Sequence, residues 1–460
     1  MRGRVITRFG LPAFAIALAF PRAGAHAQSV SSAPPDAASH DATTARTAVA
    51  LPRLDSGEHF TVAEALSAMR RSNPLLAAAH ANERAAGFDI RAAGLWTNPV
   101  LAVSHTRALV PATAGAYDPV WGYTTLGVSQ LIETANLPGA RMHAARYERD
   151  ALHAESEGLA RSLAFDIHEA VVSLVETANR LAVYRATAAE LREAHRIVSA
   201  RVAAGAAPHY DLSRMSIALA QSEADVADAE ADLTEARTEL DVAVGPEART
   251  LRGLPEFDLY GGPSLAPLEA MLARVGVNRA DLVAARARER EAQWGVSIAR
   301  RAVFQGVNVA GGVAVGAYNP LQAMPQGLPT EIDATLGVTF PLPFVDRGQG
   351  TIPAAQSRAL AQGETVSALG IAAEQQVVGT YHAAMQRRVA LEHYIASGAA
   401  NSVGMLREAE AGYRMGRLQV LDLVDAYVSV RDAQLRIVEL ARDARMAEID
   451  VWRAAGRVPE

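Results

Sequence analysis

The segment Asp211–Leu240, DLSRMSIALAQSEADVADAEADLTEARTEL, decides the fold. Leu212, Met215, Leu219, Ser222, Val226, Ala229, Leu233, Ala236 and Leu240 step alternately by three and four. That spacing is a heptad seam, the pattern of a helix that packs along its length against another helix. Asp225, Asp228, Glu230, Asp232, Glu235 and Arg237 fill the other faces. A partner lies just upstream: Val171, Leu174, Ala178, Leu181, Ala188, Leu191, His195, Val198 and Val202 step likewise, apart from one full heptad between Leu181 and Ala188. A helix from about Gly139 to Ala204 would be roughly 100 Å long at 1.5 Å per residue. Such a rod needs neighbours throughout, so the two segments are expected to form a coiled-coil hairpin. Its tip is Ala204-Gly205-Ala206-Ala207-Pro208, where Gly can adopt a left-handed cap and Pro bars continuation. Asp211, at the start of the returning helix, reads as a dipole-favoured cap.

The chain repeats this plan. Asn73, Leu76, Ala78, Ala79, Ala81, Glu83, Ala86 and Ile90 are matched by Asn278, Leu282, Ala284, Ala285, Ala287, Glu289, Ala292 and Val296. Leu126-Gly127-Val128-Ser129 returns as Leu336-Gly337-Val338-Thr339, and Gly205 before Asp211-Leu212 returns as Gly416 before Asp422-Leu423. Three landmarks in one order at a nearly constant offset indicate a duplication. The first repeat is expected over 59–250, with a helix, a strand pair at about 99–131 and a helical hairpin at 139–244. The second is expected over 251–460, with a helix, a strand pair at about 304–340 and a hairpin at 350–456, whose tip is Met415-Gly416-Arg417.

The strands rest on period two. Val307, Val309, Gly311, Val313 and Val315 alternate with Asn308, Ala310, Gly312, Ala314 and Gly316. Glu331, Asp333, Thr335, Gly337 and Thr339 alternate with Ile332, Ala334, Leu336, Val338 and Phe340. One apolar face and one small or polar face suit a barrel strand between lipid and water, and also an ordinary hairpin with one buried face. The first-half strands, about Pro99–Thr106 and Gly122–Leu131, alternate less cleanly. Trp121, Tyr123, Phe304, Tyr318 and Phe344 lie at or beyond strand ends, where aromatic girdles would sit.

Composition narrows the function classes. Residues 1–27 read as a secretory signal: Arg2, Arg4 and Arg8, an apolar run Phe9–Phe20, and the cleavage site Ala25-His26-Ala27. Residues 28–58, rich in Ser, Ala, Pro and Thr, read as a disordered leader. Loss of the four Arg in the signal moves the formal charge from −6 to −10, which disfavours nucleic acid as a partner. Cysteine is absent, so stability must come from packing or oligomerisation. The chain has no cysteine nucleophile, no His-Glu-x-x-His, no phosphate loop and no Gly-x-Ser-x-Gly, so an enzyme is not expected and no cofactor is implied. His143, His153, His168 and His195 are too irregularly spaced to suggest a dedicated metal site. Asp422 and Asp425 stand at i and i+3 on one helix face, with no partner group that would suit acid–base work.

The duplicated strand pairs and hairpins, the signal and the run Tyr413-x-x-Gly416-x5-Asp422-Leu423-Val424-Asp425-Ala426 together resemble the TolC-like outer-membrane efflux family, over about Phe60 to Gly456. The resemblance implies an α+β membrane protein in which three copies each give four strands to a twelve-stranded barrel, with the helices forming a periplasmic tunnel. It implies a homotrimer in outer-membrane lipid, served by a periplasmic membrane fusion (adaptor) protein and an inner-membrane RND-type transporter. It makes Asp422 and Asp425 stacked acidic rings at a periplasmic constriction and gives Tyr413 a part in holding it shut. Acids about 6 Å apart at an effective dielectric near 20 would repel by roughly 3 kcal/mol per pair, so such rings favour cations. Gly205, Gly416, Arg417 and Leu418 become adaptor-docking tips. The family's best-known member has an Arg where this chain has Leu418, so the closing network is expected to differ. Phe340-Pro341-Leu342-Pro343-Phe344-Val345-Asp346-Arg347-Gly348-Gln349-Gly350 is similar to the CzcC-like members of heavy-metal efflux. Drug efflux, a protein-secretion duct, and a periplasmic coiled-coil adaptor without a barrel are the alternatives.

Overall fold

The computed structural model describes residues 57–107, 122–262, 265–317, 330–399 and 402–459. The signal peptide, nearly all of the leader, and the girdle candidates Trp121 and Tyr318 lie outside them.

Each repeat begins with two helices where one was expected. They are α1 (Val62–Ser72) and α2 (Pro74–Gly94) in the first, and α5 (Leu268–Asn278) and α6 (Ala280–Ala302) in the second. Asn73 causes the first break. Its extended backbone ends α1, its Oδ1 accepts from Leu75 N at 2.9 Å, and Pro74 opens α2 with the φ a first helical turn needs. Then come strands β2 (Val100–Arg107) and β3 (Gly122–Glu133) in the first repeat, and β5 (Gly306–Ala317) and β6 (Thr330–Thr339) in the second. The two short strands β1 (His59–Phe60) and β4 (Leu254–Pro255) pair in parallel and tie the start of the first repeat to the crossing between repeats.

The hairpins follow the strands. Helix α3 (Leu137–Ala203) has 67 residues and returns as α4 (His209–Val244). Met215, Ser222, Ala229 and Ala236, seven residues apart, are the buried line of the α4 seam. Small side chains there let the helices run close, and ion pairs such as Arg192–Glu223 and Arg185–Glu230, both 2.7 Å, rung the outside. The second hairpin departs from an unbroken pair of rods. Helix α7 (Thr351–Tyr394) passes into a π-helical stretch, Ile395–Ala399, before α8 (Ser402–Arg414), and only α9 (Val420–Ala455) is continuous. An extra residue per turn rotates the ladder and bends a helix, so the outgoing limb of this hairpin is not one straight element. The duplication is clear in the elements: α1 and α5 have 11 residues each, and α4 and α9 have 36 each. Helix α3 packs on α2, α4, α6 and α9, so the core is a string of clusters along the rods. No described helix is long and apolar enough to cross a membrane.

The four long strands form one antiparallel sheet in the order β2-β3-β5-β6. Side chains directly opposite each other in such a sheet share a face, so the register assigns both faces. Leu101, Leu126 and Val313 fall on one side; Val313 pairs with Leu126 and with Ala334, and Val315 with Ile332. This face is apolar and uncovered in the single chain: Leu101 is 64% exposed, Val103 67%, Ile332 69% and Leu336 82%. Thr125, Gly127, Ser129, Ala310, Gly312, Ala314, Asp333 and Thr335 hold the opposite face. Tyr123 departs from the girdle expectation, because its pairing with Gly316 and Thr106 puts it on that polar face. Among the described residues of one chain, β2 and β6 each pair on one side only.

Candidate gate at the hairpin tips

Both tips are the same cap built twice. At the first, Gly205 has φ +70°, Gly205 N donates to Val202 O at 3.0 Å, and Ala206 N donates to Arg201 O at 2.8 Å. At the second, Gly416 has φ +70°, Gly416 N donates to Tyr413 O at 3.0 Å, and Arg417 N donates to Gly412 O at 2.8 Å. This double bond satisfies the last orphan carbonyls of a helix, and it needs a left-handed residue in which a side chain costs about 1 kcal/mol or more. Nothing would touch a Cβ at either glycine, so the requirement is backbone conformation alone. Arg417 and Leu418 are exposed beside the second cap, while Leu418 folds its side chain toward Gly412.

The tips are joined by Arg201, a residue the heptad pattern gave no reason to single out. Its Nη1 donates to Tyr413 O at 2.6 Å, its Nη2 to Ala206 O at 3.4 Å, and its guanidinium lies 4.8 Å from the Tyr413 ring centroid. One side chain therefore holds the carbonyl and ring of the second hairpin and the turn of the first. Tyr413 is 4% exposed and packs with Val198, Met215, Val420, Leu423 and Tyr427. Its hydroxyl lies near the Asp211 carboxylate without closing a hydrogen bond to it. Burial first, and then Asp211, push that hydroxyl above its ordinary value, against Arg201. Asp211 thus sits in the first turn of α4, as expected of a capping acid, and also faces the other hairpin.

Asp422 and Asp425 occupy the first turns of α9 and are both exposed in the single chain, over the buried Leu423, Val424 and Ala426. Asp422 Oδ2 accepts from Gln419 N at 2.9 Å, so this acid does cap its helix. Asp425 is exposed one turn further on, and no cap bond among the described residues holds its carboxylate. The two acids share a surface with each other; Tyr413 lies beneath, in the core between hairpins. Further contacts cross between hairpins. Arg431 Nη1 is 3.1 Å from Asp225 Oδ2, and Tyr427, whose hydroxyl donates to Glu410 at 2.8 Å, packs among first-hairpin residues. A sequence signal for these exists only in hindsight: a polar residue at an otherwise apolar position, as at Tyr427. Among the described residues no group of His, Cys, Asp or Glu is arranged to hold a metal ion.

Two hairpins packed side by side, with a sheet whose one face is apolar, invite comparison with known channels. The model of the outer membrane efflux protein family matches residues 65–246 and 272–457, which is most of the chain and both repeats. No curated protein matches the sequence. Among solved structures, the chain is similar to the outer membrane protein VceC of Vibrio cholerae, with a TM-score of 0.67 at 19% identity over 86% of this chain and 97% of that one. It is similar to the open state of the Neisseria gonorrhoeae MtrE outer membrane channel, with a TM-score of 0.67 at 19% identity over 89% and 92%. It is also similar to CusC, studied for conformational changes accompanying transmembrane channel formation, with a TM-score of 0.69 at 15% identity over 86% and 92%. These identities carry the fold alone; the family match covers both repeats and carries membership. The chain belongs to the outer membrane efflux protein family, channels of the outer membrane whose helices form a tunnel in the periplasm.

Proposed function

We propose that three copies of this chain close one twelve-stranded barrel and one helical tunnel, the exit duct of a tripartite pump, with a periplasmic acidic gate. The observation that carries this is the open sheet: ten to twelve residues in three of its four strands and eight described in β2, one mainly apolar face, and two edges with no neighbouring strand among the described residues. Ten to twelve residues rise roughly 33–40 Å, which spans a hydrocarbon core at a tilt of about 40°. Backbone edges are not tolerated in lipid, so four strands must be completed by others. Two copies would give eight strands, whose interior side chains largely fill; three leave a lumen, which the small residues of the inner face would line.

In the assembled tunnel, Asp422 and Asp425 would come together from three copies at the tips, favouring cations and costly to crowd unless paired or cation-bound. Replacing both by Ala should raise single-channel conductance in planar bilayers and weaken block by added cadmium from the periplasmic side at least tenfold. Unchanged conductance and block would remove the gate from these residues.

For cargo we propose heavy-metal cations, supported by the Phe340–Gly350 segment, with an adaptor docking at Gly205, Gly416, Arg417 and Leu418 and an RND-type transporter behind it. Cells lacking the chain should lose tolerance to cadmium, cobalt and zinc while keeping tolerance to dyes and drugs. Arg417→Cys should crosslink to the adaptor in the complemented cells. The reverse tolerance pattern would assign drug export instead, and no adaptor crosslink would move the docking site.

A further inference from the structure

Between the first hairpin and the second, just above the tips, lies a cavity of about 400 Å³. That is within the range of small-molecule sites, roughly 300–1,000 Å³. Helix α3 supplies Ala194 and Ile197, and α9 supplies Leu423, as an apolar floor. Tyr413 and Tyr427 form aromatic walls. The polar groups at its mouth are unbalanced. Glu193 is taken by Arg196, at 2.6 Å, and Glu410 accepts from Tyr427 and has Arg414 at 3.8 Å. Glu190 faces Glu410 across the gap, and no cation offsets it: partial burial, then Glu410, raise its carboxyl above the ordinary range. Tyr413, 4% exposed, lines the same space with a buried hydroxyl that lies near Asp211 and accepts no hydrogen bond among the described residues. The site therefore has an unpaired acceptor charge at its mouth, an unused hydroxyl in its wall and an apolar, aromatic interior.

We propose that this inter-hairpin cavity binds an amphipathic organic cation carrying N–H donors, with its charge on Glu190 and Glu410 and its apolar body against Ile197, Leu423 and the tyrosine rings. Each group then gains what it lacks. Glu190 gains a cation, the Tyr413 hydroxyl an N–H donor, and the apolar floor a cover; the Tyr427 ring adds cation–π attraction. A small, strongly hydrated metal ion would satisfy the acids but leave the floor wet, so the organic cation fits better. The site is separate from Asp422 and Asp425, and its occupancy does not depend on which cargo the channel carries. A ligand wedged here touches both hairpins, so it would also set their spacing at the tip.

Ethidium, a flat permanent cation with two aryl amines, is the probe, titrated by fluorescence into the mature protein in detergent. Expected is saturable binding weakened at least tenfold by Glu190→Gln and by Glu410→Gln, and unaffected by Asp422→Asn with Asp425→Asn. Because the Glu190 carboxyl is raised, acidification should release ethidium at a higher pH than an ordinary Glu would. Ile197→Trp, which fills the floor and keeps every carboxylate, should abolish binding while circular dichroism shows the helices intact. Affinity that is the same in wild type, Glu190→Gln and Ile197→Trp would overturn the proposal, as would absence of saturable binding in the wild type.

Discussion

Val313→Arg is expected to abolish trimer assembly, and Ala314→Arg, one residue away, to leave it nearly intact. The register makes the contrast sharp. Val313 lies between Leu126 and Ala334 on the apolar face, in the middle of β5. A guanidinium there would sit in hydrocarbon, at roughly 2–4 kcal/mol per chain near the bilayer midplane. Three copies would multiply that to about 6–12 kcal/mol per barrel, comparable to the whole stability of a domain. Ala314 lies between Thr125 and Asp333 on the opposite face. An Arg there meets water and a cross-strand carboxylate, an arrangement that is neutral or favourable. Heat-modifiable trimer on gels after outer-membrane extraction is the readout: less than a tenth of wild type for Val313→Arg, more than half for Ala314→Arg. Equal yields would mean that the apolar face does not meet lipid.

The same comparison of faces explains what could be read in advance. In β5 and β6 the alternation is unbroken, because every second residue meets one of two different environments, and the register agrees with it at each pair. In β2 and β3 the rule is blurred by residues such as Gln130, on the apolar face, whose Nε2 donates to Thr97 O at 2.7 Å. A local bond satisfies that amide, so the pattern can afford it. Tyr123 was legible as an aromatic near a strand end, but which face it takes depends on pairing with β5, some 190 residues away. The α4 seam was legible because heptads are local. The π-helical stretch at Ile395–Ala399 was not, since a ladder shift follows from packing on both sides and has no composition of its own. At the tips, Gly205 and Gly416 announce their caps through backbone demands that only glycine meets easily. Arg201 announces nothing: it is one Arg among many on a long helix, and only the folded arrangement brings Tyr413 to it.

That hidden contact makes Arg201→Ala the more revealing change at the proposed gate. The mutation removes a charge-assisted bond to Tyr413 O, a longer one to Ala206 O and a cation over the Tyr413 ring. Bonds to a charged donor contribute about 1.5–3 kcal/mol and a part-buried cation–π contact about 0.5–2, so the clasp between hairpins would weaken by a few kcal/mol per chain. The rods themselves would survive, because helix packing is distributed along their length and the seam continues away from the tip through Ser222, Ala229 and Ala236. The expected result is therefore a trimer of normal yield and helicity with a tip that opens more often, read as a several-fold rise in mean single-channel conductance. Arg201→Lys should rescue only part of this, since an ammonium lacks the planar fork that spans two carbonyls and a ring at once. The acids and the clasp are also separable. If Asp422 and Asp425 close the channel through charge and Arg201 through hairpin contact, adding Arg201→Ala to the double aspartate variant should raise conductance further. A triple variant that conducts no better than the aspartate pair would place both groups in a single closing element.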